Sequence, residues 1–145
     1  MLLLLTRASG VGKSTCRIAI EAALGDEVDC VELRDVVAIP AAPDLAWRQR
    51  SVEAVVQRAL SGDRDLLLAG DPVAPGELIA APSADRLDRI AVCLLDCDAA
   101  SQTERLRWER LARADWSFDV IDTSGRAPSD VAADALAWVR AARAF

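Results

Sequence analysis

Ala8-Ser9-Gly10-Val11-Gly12-Lys13-Ser14-Thr15 decides how this chain is read. Lys13 is the sole lysine in a sequence whose other 16 positive charges are arginines, and it stands where the pattern G-x-x-x-x-G-K-[ST] calls for one. In that pattern, backbone N–H groups cradle nucleotide phosphates and the lysine reaches the β- and γ-phosphates. The hydroxyl that follows, here Ser14, ligates Mg²⁺. Lysine suits the task because its ammonium is a compact charge on a flexible stem, whereas arginine brings a broad planar fork. The first glycine of the pattern falls at position 7, where this chain has Arg7. If that position needs positive φ, arginine strains it by roughly 1–2 kcal/mol; with ordinary φ it adds a cation beside the phosphates. The competing reading is a Gly/Ser-rich turn between strand and helix that binds nothing.

The flanks decide between them. Met1 to Thr6 is a short apolar run that reads as a buried strand, and helix-forming Lys13 to Leu24 follows, closed by Gly25. Strand, glycine loop and helix in that order put bound phosphates at a helix N-terminus, with its partial positive charge.

Further along, Val28 to Leu33 reads as a second strand leading into Arg34-Asp35, followed by a loop with Pro40 and Pro43. Asp44 reads as the N-cap of a helix through Leu60. Asp65 to Asp71 is an apolar strand ending in Gly-Asp, and a short helix spans about Gly76 to Ala81. Ile90 to Asp96 is a fourth strand, Asp98 to Arg113 a helix, and Phe118 to Asp122 a fifth strand ending in Thr123-Ser124-Gly125. Pro128 suits the first turn of a last helix whose apolar residues Val131, Ala135, Trp138, Val139 and Ala142 line one face. Strands alternating with helices imply parallel βαβ units: a single three-layer α/β/α domain over residues 1–145 with a five-stranded parallel sheet. In such sheets ligands bind beyond the carboxyl ends of the strands, where the glycine loop, Asp35, Gly70-Asp71, Asp96 and Thr123-Ser124 all fall.

Composition narrows the function. The net charge of −6 argues against a broad nucleic-acid or membrane-surface role. Met1 to Leu5 is too short for a signal peptide and lacks its basic start, and no apolar run approaches a membrane span, so the expected location is the cytoplasm. Histidine is absent, removing the commonest metal ligand and general base. Cys16, Cys30, Cys93 and Cys97 lack the paired spacing of a zinc site and read as reduced thiols packed like small hydrophobes.

With these residues in place, the chain resembles the nucleotide-kinase branch of the P-loop NTPases, the group of nucleoside-monophosphate and shikimate kinases. The resemblance rests on Ser9 to Thr15, on Leu68-Ala69-Gly70-Asp71, on Glu104-Arg105-Leu106 and on Val120 to Ser124. More narrowly, Trp47-Arg48-Gln49-Arg50 at the start of the second long helix is similar to short bacterial kinase-like proteins labelled AAA-family ATPases. Two rival P-loop classes fall away. A small GTPase needs an Asn-Lys-x-Asp motif, which a chain with Lys13 as its sole lysine cannot hold. An AAA+ motor needs a strand ending in Asp-Glu and an added helical domain.

The resemblance implies an ATP-dependent phosphotransferase acting on a small acceptor with Mg²⁺. Ser9, Gly10, Val11, Gly12, Lys13, Ser14 and Thr15 would hold the phosphates, and Thr123 and Ser124 would border the base. Ser14 and Asp71 would serve the metal ion. Asp35, then Glu32, would orient or deprotonate the acceptor, with Gly70 and Asp71 lining its site and Arg48 and Arg50 gripping an anionic acceptor such as a phosphate or carboxylate. Lys13, with Arg105 and Arg110 from the fourth long helix, would act on the transferring phosphoryl group. Only Cys97 to Asp115 joins strands four and five, enough for one helix and no separate lid. With Arg7, that short connection supports the alternative: a nucleotide-binding module or slow ATPase with weak transfer. Oligomeric state and the identity of the acceptor are not legible.

Overall fold

The computed structural model describes residues 1–6, 12–70, 73–96, 99–111, 113 and 116–144, and the side chains of all of these except 99–102. The elements run β1 (Leu2–Thr6), α1 (Lys13–Leu24), β2 (Val28–Val31), α2 (Leu33–Val36), α3 (Leu45–Ser61), β3 (Asp65–Ala69), α4 (Pro75–Ala80), a 3₁₀ turn (Ala84–Arg86), β4 (Ile90–Asp96), α5 (Ala99–Leu111), β5 (Trp116–Asp122) and α6 (Pro128–Arg143). All five strands are parallel, in the order β2-β3-β1-β4-β5. The α/β architecture expected from the alternation of elements is the one observed.

β1 sits at the centre, with Leu3 in register with Leu67 of β3 on one side and Ala91 of β4 on the other. Side chains alternate across a strand, so each face of the sheet collects its own core. Leu2, Leu4, Leu66, Leu68, Ile90 and Val92 meet α3, α4 and Trp108 of α5 on one face. Leu3, Leu5, Leu67, Cys93 and Leu95 meet α1 and α6 on the other. Both faces are covered, which is why β1, β3 and β4 are near-continuous apolar runs rather than alternating ones. The stripe foreseen on α6, Val131 through Ala142, is buried throughout.

Several boundaries differ from the sequence reading, most of them by a residue or two. β2 stops at Val31 rather than Leu33, because Glu32 and Asp35 cap a short helical turn: Asp35 Oδ2 accepts from Glu32 N at 2.7 Å. The pattern Glu-x-x-Asp is a reciprocal cap, and it overrides the extended run before it. β3 ends at Ala69, one residue before the glycine. β5 begins two residues earlier than expected, at Trp116, whose ring packs 5.8 Å from that of Trp108. Asp44 caps α3 as expected, its Oδ1 accepting from Trp47 N at 2.6 Å. Cys16 and Cys93 are buried and Cys30 half-buried; loss of hydration, with nearby Glu21 and Asp29, pushes the Cys30 thiol up to about 11. Cys97 lies outside the described residues.

At the amino ends of the strands, Asp65 accepts from the Met1 ammonium and from Arg143 Nε, both at 2.8 Å. Burial opposes ionisation of this carboxyl, but the two donors outweigh it and hold its pKa below the ordinary 3.8. A carboxylate depressed in the folded state adds stability above its unfolded pKa and loses it as the pH falls through the folded value. Replacing Asp65 with Asn in the untagged chain should therefore lower the thermal midpoint at pH 7 and flatten its decline on acidification below 3.8. Midpoints measured across that range check this; parallel curves for the two proteins would refute it.

Candidate active site

Gly12 has φ +106° and forms the N-cap of α1, with Cys16 N donating to its carbonyl at 3.0 Å. Such a φ lies in the region open to glycine and closed to most L-residues, so the strand-to-helix turn depends on it. Among the described residues the start of α1 has no side-chain cap and, like that of α5, no acid in its first turn, and Lys13, Ser14 and Thr15 follow directly. By contrast α2, α3, α4 and α6 each carry a carboxylate at the cap or in the first turn: Asp35, Asp44, Glu77 and Asp130. An uncapped N-terminus keeps its N–H groups and partial positive charge for an anion. Ser14 and Thr15 are exposed.

Lys13 Nζ donates to the carbonyl oxygen of Gly70, which follows β3. The contact spans the gap between β1 and β3, where the chain order of the sheet reverses and α/β ligands bind. Gly70 backs onto the end of β2: a Cβ there would lie 3.5 Å from Leu33 N and 3.8 Å from Glu32 Cα, an ordinary contact. Glu32, Leu33, Arg34, Ile39 and Gly70 surround a cavity of about 150 Å³. The Glu32 carboxylate there is paired with Arg34 and lies 3.7 Å from Arg17 Nε, a buried donor with no hydrogen-bond partner among the described residues. A second cavity of about 110 Å³ shares the Leu33 and Ile39 wall and extends between α3 and α4 toward Trp47 and Val73.

The candidate residues divide by what the fold does with them. Lys13, Gly12 and Gly70 converge. Glu32, ranked second by sequence, lines the cavity, whereas Asp35 is exposed and spends an oxygen on the α2 cap. Arg48 lines the α3–α4 cavity but is held in a fork by Glu77, at 2.6 and 3.2 Å. Burial would raise the Glu77 pKa, but Arg48 and the Ala74 N–H outweigh it and hold the carboxyl below its ordinary value. Arg50 is exposed on α3. Thr123 donates to the Asp96 carbonyl through N and Oγ1, at 2.8 and 3.0 Å, joining the ends of β4 and β5. Asp122 accepts from Ser124 N at 2.8 Å, a bond that lowers its pKa. Arg105 pairs with Glu109 at 2.8 Å on the exposed side of α5, where Arg110 is also exposed. Arg7, Ser9, Gly10, Val11 and Asp71 lie outside the described residues.

The α3–α4 cavity is the feature that sequence reasoning missed. Its walls come from loop and helix residues far apart in the chain, so periodicity gives no sign of it. The Asp44-capped helix that brings Trp47 and Arg48 to one side was the available hint.

No family model matches this chain, and no curated protein matches it. Among solved structures it is similar to a sugar kinase from a Janibacter species, with a TM-score of 0.59 at 17% identity over 99% of this chain and 96% of that one. It is also similar to a gluconokinase from Sinorhizobium meliloti, with a TM-score of 0.56 at 16% identity over 98% and 93% of the two chains. At these identities the likeness shows the fold alone, and it extends along nearly the whole chain. The narrower resemblance to AAA-labelled proteins finds no support among these neighbours.

Among the described residues a Cβ at Gly12 would meet nothing within 4 Å, so the cost of Gly12→Ala is torsional strain. We expect a loss of roughly 1–2 kcal/mol in stability, visible in denaturant unfolding. An unchanged midpoint would mean that the turn relaxes to negative φ.

Proposed function

We propose that the chain is a small-molecule kinase that binds ATP on the 8–15 loop and passes its γ-phosphoryl group to a small hydroxyl acceptor seated between the ends of β2 and β3. The observation that carries this reading is the meeting of Lys13 with Gly70 beside the Glu32 cavity, at the head of a helix whose N-terminus is uncapped. The exposed Ser14 fits a Mg²⁺ site of the P-loop kind, in which one protein hydroxyl joins phosphate oxygens and waters. Bound there, the ion would neutralise charge on the β- and γ-phosphates; Asp71 is the second residue proposed to serve it.

In this reading Lys13 exchanges the Gly70 carbonyl for phosphate oxygens, and Gly12 lets the loop turn so that its N–H groups point at them. The acceptor oxygen bonds to the γ-phosphorus as the bridge to ADP breaks, and its proton passes to a carboxylate. Glu32, which lines the cavity, would take that proton on this reading, and Asp35, which accepts from the Glu32 N–H in the α2 cap, would hold it in position. Thr123 and Ser124 border the base. Arg105 and Arg110 reach the phosphoryl group only by leaving the surface of α5. The reading carries with it a cytoplasmic protein that needs neither nucleic acid nor membrane; among the described residues no helix is long and apolar enough to cross one.

A second reading, a nucleotide-binding module or slow ATPase, is favoured by one observation. Two arginines of α5 are engaged with glutamates of the same helix, Arg105 with Glu109 and Arg107 with Glu104, instead of pointing into a closed site. An open γ-phosphate favours water over a specific acceptor.

Isothermal titration with a non-hydrolysable ATP analogue and Mg²⁺ tests the nucleotide site. Lys13→Ala should abolish tight binding or lower turnover on the order of 10²–10³-fold; unchanged affinity and turnover would sink the P-loop reading. Glu32→Gln should leave analogue affinity intact and lower acceptor-dependent ADP release about 10²-fold or more. Asp35→Asn, which can still cap α2, should lower it far less. The reverse order would return the proton-accepting role to Asp35. ADP release without any acceptor, unaffected by Glu32→Gln, would select the slow-ATPase reading.

A further inference from the structure

The two cavities beside Gly70 differ in chemistry, and the difference bears on what the acceptor is. The cavity next to the Lys13–Gly70 contact has a polar wall, Glu32 with Arg34. The cavity behind the shared Leu33 and Ile39 wall is mostly apolar, bounded by Trp47, Val52, Val73 and Pro43. Its space is several times what one water needs and is enough for a ring-sized group. The Trp47 indole is fixed in orientation, since Nε1 donates to the Ala38 carbonyl at 3.0 Å. Ser51 Oγ donates to the Trp47 carbonyl at 2.8 Å, which leaves it as an acceptor toward the cavity.

Charge decides the rest. The one cation lining the apolar cavity, Arg48, has its guanidinium forked by Glu77, which lines the same cavity. The Ala74 N–H donates to Glu77 at 3.0 Å and fixes the carboxylate in place. The two opposite charges stand side by side in the cavity wall and offer both donors and acceptors. An anion entering here would lose its hydration and meet a carboxylate as close as the guanidinium, an unfavourable exchange. An uncharged ligand loses little and gains the apolar walls.

We infer that the acceptor is an uncharged alcohol with a compact or flat apolar body, which rests beside Trp47 while its hydroxyl points past Leu33 and Ile39 to Glu32 and Gly70. This rests on the kinase reading and sharpens it, and it sets the chain apart from a kinase for sugar acids or phosphorylated acceptors. Arg48 is then a specificity-determining residue because Glu77 stands beside it, and not an anion clamp.

Two matched pairs of probes, each nearly constant in shape and different in charge, test the inference: benzyl alcohol against benzoate, and thymidine against its 5′-monophosphate. Ligand-observed NMR on the full chain, with and without the ATP analogue, gives their relative affinities. The neutral member of each pair should bind at least about ten-fold more tightly, the cost of desolvating an uncompensated charge. Ile39→Trp, at a 47% exposed rim position, should block both members without unfolding the protein. Glu77→Gln removes the carboxylate that an entering anion would face and should narrow or reverse the preference; Glu77→Gln together with Arg48→Gln should restore it. Wild-type protein that binds the anionic member as well or better, or that binds no probe, overturns the inference. Because the preference is measured without nucleotide as well, its failure is distinct from that of the kinase reading, which loss of analogue binding alone would mark.

Discussion

A parallel sheet covered on both faces leaves its central strands almost no room for polar side chains, and the polar groups of the candidate site lie beyond the ends of those strands for that reason. β1 is the extreme case: Leu2 to Leu5 are buried from both sides, and Thr6 is buried with its hydroxyl unpartnered among the described residues. The chain must therefore turn from a fully dry strand into a helix within a few residues, and Gly12 with its positive φ makes that turn. The same constraint brings the ends of β2 and β3 beside the start of α1, so that a lysine on one element meets the carbonyl that follows another, beside a cavity lined by a carboxylate at the end of a third. The site is a consequence of where the core ends.

Arginine and lysine do different work here. The arginines are matched to carboxylates over most of the surface: Arg58 with Asp29, Arg126 with Asp134, Arg143 with Asp65 and Glu27. Exposed pairs of this kind contribute about 0–1 kcal/mol each, so they do not hold the fold together. Their effect is to balance the surface charge locally, and at Arg48 and Glu77 the same balance reaches into a cavity wall. Lys13 differs in place: it donates to the Gly70 carbonyl at the strand ends, whereas the arginines that donate to carbonyls, Arg64 to Gly25 and Arg89 to Ala142, lie elsewhere.

What the sequence disclosed follows the range of its signals. The elements were legible because their periodicities are local: the Leu run of β1, the Asp44 cap, the Pro128 start of α6. Lys13 was legible because its meaning lies within eight consecutive residues. The fate of Asp35 was less so, since Glu-x-x-Asp after an apolar run fits a strand end as well as a capped turn, and the reciprocal hydrogen bonds tip the choice. The pairing of Arg48 with Glu77 joins residues 29 apart in sequence and depends on how α3 packs on α4. No spacing rule reaches that far, so two arginines that look like an anion grip in sequence turn out to be one forked pair and one exposed side chain.

How a site without a separate lid could serve phosphoryl transfer turns on Trp108. Its indole is fully buried, stacks with Phe118 at 6.4 Å, and donates to Glu104 at 3.1 Å, tying α5 to β5. Swinging α5 over the phosphates would expose that ring, at a cost on the order of 4–6 kcal/mol for the area an aromatic side chain buries. Releasing Arg105 from Glu109 on the exposed helix surface costs about 1 kcal/mol or less. Under the kinase reading, then, closure by a moving helix is far dearer than closure by a side chain that changes partner. The helix stays put and the arginine moves. Such a site shields the transferring group only in part, so discrimination against water falls to the acceptor itself. An acceptor whose apolar body fills the cavity beside Trp47 and excludes water there meets that requirement, whereas a small hydrated anion does not.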